Sequence, residues 1–233
     1  MIQDKLKVEI WSDVMCPFCY IGKRRFETAL QEFGHKDNVE VTWKSFQLDP
    51  TMKSEPGKSL NEYLSERKGI SLERSVQLHE QMTASAAELG LTYNFNKAVI
   101  ANSFDAHRFS HLAKVYGVQD AAEEALFKAY FTDGKDISNH DTLVDLGQQI
   151  GLDPDLVKQT LGSDQYSNEV RQDIYEAQQI GARGVPFFVL GDKYAVSGAQ
   201  ASETFLGALN QTWNELMPAT TIDGPVCGPE GDC

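Results

Sequence analysis

Apolar and polar positions change period several times along the chain, and each change predicts an element. Val8, Ile10 and Trp11 form a short apolar run closed by Ser12 and Asp13, which suits a buried strand. From Phe18 onward Ile21, Phe26, Ala29, Leu30 and Phe33 recur at helical spacing, with Gly34 placed to end the helix. Val39, Val41 and Trp43 then alternate as a second strand. Phe46 and Leu48 break that phase, and Asp49-Pro50 and Glu55-Pro56-Gly57 are loop signals. The opening unit therefore reads as β-α-β.

Between about Lys58 and Ile180 helical signals run almost without interruption, including Leu72, Val76, Met82, Ala86 and Leu89, and later Leu126, Phe127, Tyr130 and Phe131. Asp153-Pro154-Asp155 has the form of an N-cap with proline at the first helical position, while Gly151, Gly162 and Gly181 fall where helices should stop. No fixed-period repeat accompanies this block, which argues against a helical solenoid. After Gly184-Val185-Pro186, the segments Phe187-Phe188-Val189-Leu190 and Tyr194-Ala195-Val196 flank a Gly191-Asp192 turn and predict a hairpin. A last helix is expected over 201–216, carrying Phe205, Leu206, Leu209 and Trp213 on one face. The proline- and glycine-rich stretch 217–233 has few large apolar residues and is expected to be a flexible tail.

Composition narrows the function classes. With Lys+Arg 21 against Asp+Glu 34, the formal charge of −13 repels phosphate backbones and anionic bilayers, so neither nucleic acid nor membrane is an expected partner. The first seven residues lack the apolar core of a signal peptide, and no apolar stretch approaches membrane-span length; the expected location is cytoplasmic. Four cysteines in a reducing compartment point to catalysis, sensing or metal binding rather than to a disulfide scaffold.

The chemistry centres on Cys16-Pro17-Phe18-Cys19, directly after the first strand and at the start of the first helix. This spacing brings two thiols within one helical turn and sets the first where unpaired N–H groups converge, which favours the Cys16 thiolate as attacking sulfur and leaves Cys19 to resolve a mixed disulfide. The competing reading, half a zinc site, needs a second ligand pair. The other cysteines, Cys227 and Cys233, lie in the tail with five residues between them. No metal is assigned to them; they are instead candidate auxiliary thiols, or else unrelated exposed ones.

Together Ser12-Asp13, Cys16-Pro17-Phe18-Cys19-Tyr20-Ile21-Gly22 and Gly184-Val185-Pro186 resemble the DsbA family of thioredoxin-fold oxidoreductases, in particular its FrnE-like branch. Asn102-Ser103-Phe104-Asp105-Ala106-His107-Arg108 resembles that branch's insertion motif. The resemblance implies an α/β thioredoxin fold with a large all-helical insertion: core over 1–50 and 181–216, insertion over 51–180. It also implies a cis peptide between Val185 and Pro186 facing the two cysteines. Pro17 and Phe18 complete the motif, although Phe18 stands where the DsbA prototype has histidine, which leaves the direction of electron flow open. Glu9 resembles the family's buried acid, while an exposed strand residue or a salt-bridge partner fits it equally. Asp13 reads as a loop or turn acid without a catalytic assignment.

His107 and His111 share a helical face, yet no metalloprotease motif accompanies them. Asn102, His107 and Arg108 are expected as polar groups near the cleft, with Arg108 able to attract an acidic substrate or glutathione. The leading function is thiol–disulfide exchange on protein or low-molecular-weight disulfides. It requires no cofactor and admits glutathione as co-substrate. A glutathione-dependent isomerase or transferase of small aromatic or polyketide-like substrates is the alternative, but it has no need of a resolving Cys19. A redox-regulated chaperone, using apolar surface around Phe18, is a third class.

Overall fold

A computed structural model describes residues 5–53, 55 and 57–216. Its sheet has strand order β2-β1-β3-β4. β1 (Leu6–Ser12) lies parallel to β2 (Val39–Ser45), with Val8 opposite Val41 and Ile10 opposite Trp43. On its other side β1 runs antiparallel to β3 (Phe187–Leu190), which turns back into β4 (Tyr194–Ser197). Gly191 and Asp192 both have positive φ, 59° and 57°, the sense of twist that a two-residue hairpin requires.

Alternation along β1 decides which layer covers which face. Leu6, Val8 and Ile10 are fully buried in the main core, together with Phe26 of α1 (Pro17–Glu32), Phe188 of β3, and Phe205 and Leu209 of α9 (Ser202–Leu216). Phe26, Phe188 and Phe205 pack ring against ring at centroid distances of 4.5–5.8 Å. A second cluster of Trp11, Ala177 and Ala182, with Phe46, Phe187 and Val189 packed on it, brings α8 (Ser167–Gln179) against the opposite face.

All elements between β2 and β3 are helical among the described residues, which is the thioredoxin fold with a large all-helical insertion. The insertion comprises α2 (Leu60–Lys68), α3 (Leu72–Ala87), α4 (Phe104–Val115), α5 (Gln119–Phe127), a π-turn segment (Lys128–Asp133), α6 (His140–Gln149), α7 (Pro154–Leu161) and α8. Ser59 and Glu62 close a capping box on α2, and Asp153 caps α7 ahead of Pro154. The expected near-continuous helix breaks over 88–103. After Gly90, at φ +73°, buried Leu91, Tyr93 and Phe95 alternate with the more exposed Thr92 and Asn94. That period of two is an extended-chain signal, and Asn94 fastens the segment by donating from its backbone N to Phe131 O and from its side chain to Thr132 O.

β2 would be a bare sheet edge, but the insertion covers it. The Gln119 amide accepts from Trp43 N at 3.1 Å and donates to Trp43 O at 2.9 Å, imitating one rung of a neighbouring strand. Further along, Asp173 Oδ2 accepts from Ser45 N at 2.9 Å. The same joint is charged: Lys23, only 2 % exposed, meets Glu27, Asp120 and Glu124, while Tyr20 donates to Glu124 at 2.6 Å. Core and insertion are thus locked together immediately beside the Cys16–Cys19 turn.

Candidate active site

β1 delivers the chain to a tight turn, in which Asp13 O accepts from Cys16 N at 2.9 Å. Cys16 is the N-cap of α1, in extended conformation (φ −87°, ψ 111°), and Pro17 opens the helix where its missing N–H costs no intrahelical bond. One turn on, Cys19 faces back, and both thiols are free. Cys19 is fully buried and Cys16 is only 3 % exposed, whereas Phe18 between them is 49 % exposed. Cys16 is therefore less open than a helix-start position predicts. Its sulfur does not cap the helix; it donates to Val185 O at 3.4 Å, so the loop before β3 closes over it.

The Val185–Pro186 peptide is cis, and Pro186 packs against α1 at Gly22. Burial, together with the neighbouring Cys16, pushes the Cys19 thiol well above its ordinary range. The Ser12 hydroxyl and the Asp13 backbone amide facing its sulfur offset part of this. From the insertion, Tyr93 donates its hydroxyl to Pro17 O at 2.6 Å, inside the Cys-Pro-Phe-Cys turn. Burial raises the Tyr93 phenol far enough to keep it a proton donor. Tyr93 also stacks near Tyr20 and on Phe131, joining the motif to the aromatic core of the insertion.

Asp13 carries more of the site than a turn acid would. It is fully buried; its carboxylate accepts from Leu48 N at 2.7 Å and Met15 N at 3.3 Å, and its Oδ1 lies 3.6 Å from His107 Nε2. A run of buried polar residues in the loop after a strand, Ser12-Asp13, was the sequence signal available for it. His107 does reach this region. Burial is the largest single influence and opposes its protonation, but Asp13, Glu123 and the Phe46 carbonyl acting together hold the imidazole above its ordinary range.

Three expected site residues are engaged by other partners. Glu9 lies out of phase with buried Val8 and Ile10, and it pairs with Lys7 at 3.0 Å and Lys44 at 3.8 Å, which is the salt-bridge reading. Arg108 is 4 % exposed and points into the C-terminal end of α7: it donates to Thr160 O at 2.5 Å, Gln165 O at 2.8 Å and Ser163 O, and pairs with Asp105. One residue's rotation from His107 sends its fork to the α7 C-terminus instead of to Asp13. Asn102 is consumed by Gln47, Phe104 N and Met52 O, tying down the loop after β2. His111 meets Asp173 at 2.9 Å and Ser45 at 3.2 Å through the same nitrogen, Nε2, which is not the relay geometry of a hydrolase triad. Cys227 and Cys233 lie outside the described residues. Among those residues, no group of three or more His, Cys, Asp or Glu side chains is arranged to hold a metal ion.

A dithiol at a helix start beneath a cis-proline loop, carried on this sheet, defines a thioredoxin-fold thiol oxidoreductase. The chain belongs to the DSBA-like thioredoxin domain family, whose sequence model matches residues 7–210. It is 30% identical over 205 residues to the uncharacterized protein YwbO of Bacillus subtilis strain 168, covering 87% of this chain and 95% of that one. A probable DsbA oxidoreductase of Streptomyces coelicolor, SCO1869, superposes with a TM-score of 0.86 at 42% identity, covering 97% of both chains. At the level of fold alone, the cytosolic disulfide reductase DsbM of Pseudomonas aeruginosa, solved with GSH, matches with a TM-score of 0.57 at 18% identity over 90% of this chain and 96% of its own. No helix among the described residues is long and apolar enough to cross a membrane.

Proposed function

We propose that this chain exchanges thiols and disulfides on protein or low-molecular-weight substrates, with Cys16 as the attacking sulfur and Cys19 as the resolving one. The observation that carries the assignment is the inequality of the pair: Cys16 sits at the helix N-cap against Val185 O, while Cys19 is sealed beneath it with a raised thiol pKa. As a thiolate, Cys16 at the N-terminal end of α1 attacks one sulfur of a substrate disulfide and expels the other as a thiolate that takes up a proton. Cys19 then loses its proton and attacks Cys16 Sγ. The second substrate thiolate leaves, and the enzyme is left as the Cys16–Cys19 disulfide. Two electrons have passed to the substrate, and two molecules of a thiol such as glutathione restore the dithiol by the reverse chemistry.

The exposed Phe18 ring and Leu48, whose amide is held by Asp13, supply an apolar lip on which a disulfide-bearing chain can rest. A scarcity of other cysteines suits a cytoplasmic, reducing compartment and low-molecular-weight thiol as electron donor. The resolving cysteine separates this function from glutathione-dependent isomerisation, which needs one activated thiol and would leave Cys19 without a task. Equilibration in glutathione redox buffers tests the proposal: the Cys16–Cys19 peptide should interconvert between two masses differing by two hydrogens, and the protein should catalyse reduction of a mixed glutathione disulfide. Absence of both, in folded protein, would refute it.

A further inference from the structure

Both cysteines are received by the same short stretch of backbone. Asp13 O takes the Cys16 N–H at 2.9 Å, while the Asp13 N–H and the Ser12 hydroxyl face the Cys19 sulfur. Ser12 Oγ is buried and makes no hydrogen bond of ordinary geometry. What fixes that stretch is the Asp13 carboxylate, held by two amides, Met15 N and Leu48 N, and by one side chain from outside the core, His107 of α4. His107 is 2 % exposed, its Nε2 makes no hydrogen bond, and the nearest charge is Asp13 Oδ1 at 3.6 Å, beyond direct hydrogen-bond reach but well within charge contact.

We infer that the insertion supplies a positioning residue to the redox pair: His107 holds and neutralises the Asp13 carboxylate, and the resolving attack by Cys19 depends on it. This rests on the assignment of Cys16 and Cys19 given above and names a residue that acts through Asp13 without touching substrate. The physical reason is electrostatic. Cys19 must become a thiolate beside Asp13 in a buried site, and a carboxylate stripped of its counter-charge there would oppose that second negative charge.

Other groups face the pair from each packed element. From α5, Glu123 approaches His107; burial raises its carboxyl, and Ser110 donates to it at 2.5 Å. From the loop after β2, the Phe46 carbonyl faces the imidazole. Tyr130 of the π-turn segment lies in the field of Asp13, and burial together with that carboxylate keeps its phenol protonated. Of these groups His107 is the one able to carry positive charge, and its Nε2 stands 3.6 Å from Asp13 Oδ1.

Formation and resolution of the mixed disulfide should be timed separately by quenched-flow mass spectrometry. In His107→Ala, attachment of glutathione at Cys16 should stay within about twofold of the parent. Internal resolution should slow about tenfold at neutral pH, and its pH profile should move up by about one unit, since one unit corresponds to a factor of ten. Asp13→Asn/His107→Ala, which removes both charges, should recover resolution to within about threefold. Two merely structural lesions would add instead. Should His107→Ala not yield folded protein, His107→Gln paired with Asp13→Asn/His107→Gln carries the same comparison. Resolution at the parental rate in the single variant, or slower resolution in the double than in the single, would overturn the role of His107 while leaving the Cys16–Cys19 assignment standing. A parent chain that never forms a mixed disulfide at Cys16 would overturn both.

Discussion

Gly22 and Pro186 meet across the gap between α1 and the loop before β3, so closely that a Cβ at position 22 would stand 2.8 Å from Pro186 Cγ. The absence of a side chain at Gly22 is what lets this loop close over Cys16. A pyrrolidine ring cannot swing aside as a long side chain can, so Gly22→Ala must displace the loop or the helix. The expected cost is about 1–3 kcal/mol of stability, as for other overpacked sites. Displacement would also break the 3.4 Å contact between Cys16 Sγ and Val185 O. Denaturant unfolding and thiol alkylation kinetics on the same variant check both effects: Cys16 should be labelled faster than in the parent. Unchanged stability and labelling would contradict the close packing.

Arg108 has a structural assignment that mutation can separate from substrate binding. Arg108→Ala strips several carbonyls around the α7 C-terminus of their donor and should cost roughly 3 kcal/mol, since hydrogen bonds to charged groups are the stronger kind. Arg108→Lys should not restore this, because an ammonium lacks the planar fork that reaches Thr160, Ser163 and Gln165 together. The KM for a glutathione mixed disulfide should stay unchanged in whatever fraction remains folded. A raised KM with stability intact would return Arg108 to the substrate site.

His79 of α3 should shape the acid limb of the stability profile. Stacked on Phe95 with a centroid distance of 4.0 Å, it is lowered to about 4 by burial and by repulsion from Lys68. In the unfolded chain its pKa returns to about 6.5. Between those values the unfolded state binds a proton that the folded state does not. The stability tied to neutral His79 is therefore complete above about pH 6.5 and is lost as pH falls toward about 4. Urea midpoints measured across that range should fall with acidity in the parent and fall less steeply in His79→Gln. Equal slopes would show that His79 titrates normally in the folded state.

The strands, the hairpin with its Gly191-Asp192 turn, and the Cys16–Cys19 helix start were legible in the sequence because each is written in local periodicity or turn chemistry. The break over 88–103 was legible in principle: Leu91, Tyr93 and Phe95 alternate, but the helical residues on either side masked a short stretch of period two. Residue roles that depend on which way one helix or strand position points were not legible. Glu9 and Arg108 differ from their neighbours Val8 and His107 by a single residue, which sends one to the opposite side of β1 and the other to the end of α7. Tyr93 and Asp13 acquire their places only when the insertion folds back on the Cys-Pro-Phe-Cys turn, a contact between segments 76 residues apart in the case of Tyr93 and Pro17.

The central claim is the division of labour between two sulfurs, and trapping tests it most directly. Incubated with oxidised glutathione in a Cys227→Ser/Cys233→Ser background, Cys19→Ser should accumulate one glutathione per chain, and peptide mapping should place it on Cys16. The parent should show that adduct only transiently, with its decay accelerating as pH rises toward the elevated thiol range of Cys19. Cys16→Ser should form no adduct at position 19 and should lose disulfide exchange. An adduct on Cys19, or full exchange activity in Cys16→Ser, would contradict the assignment.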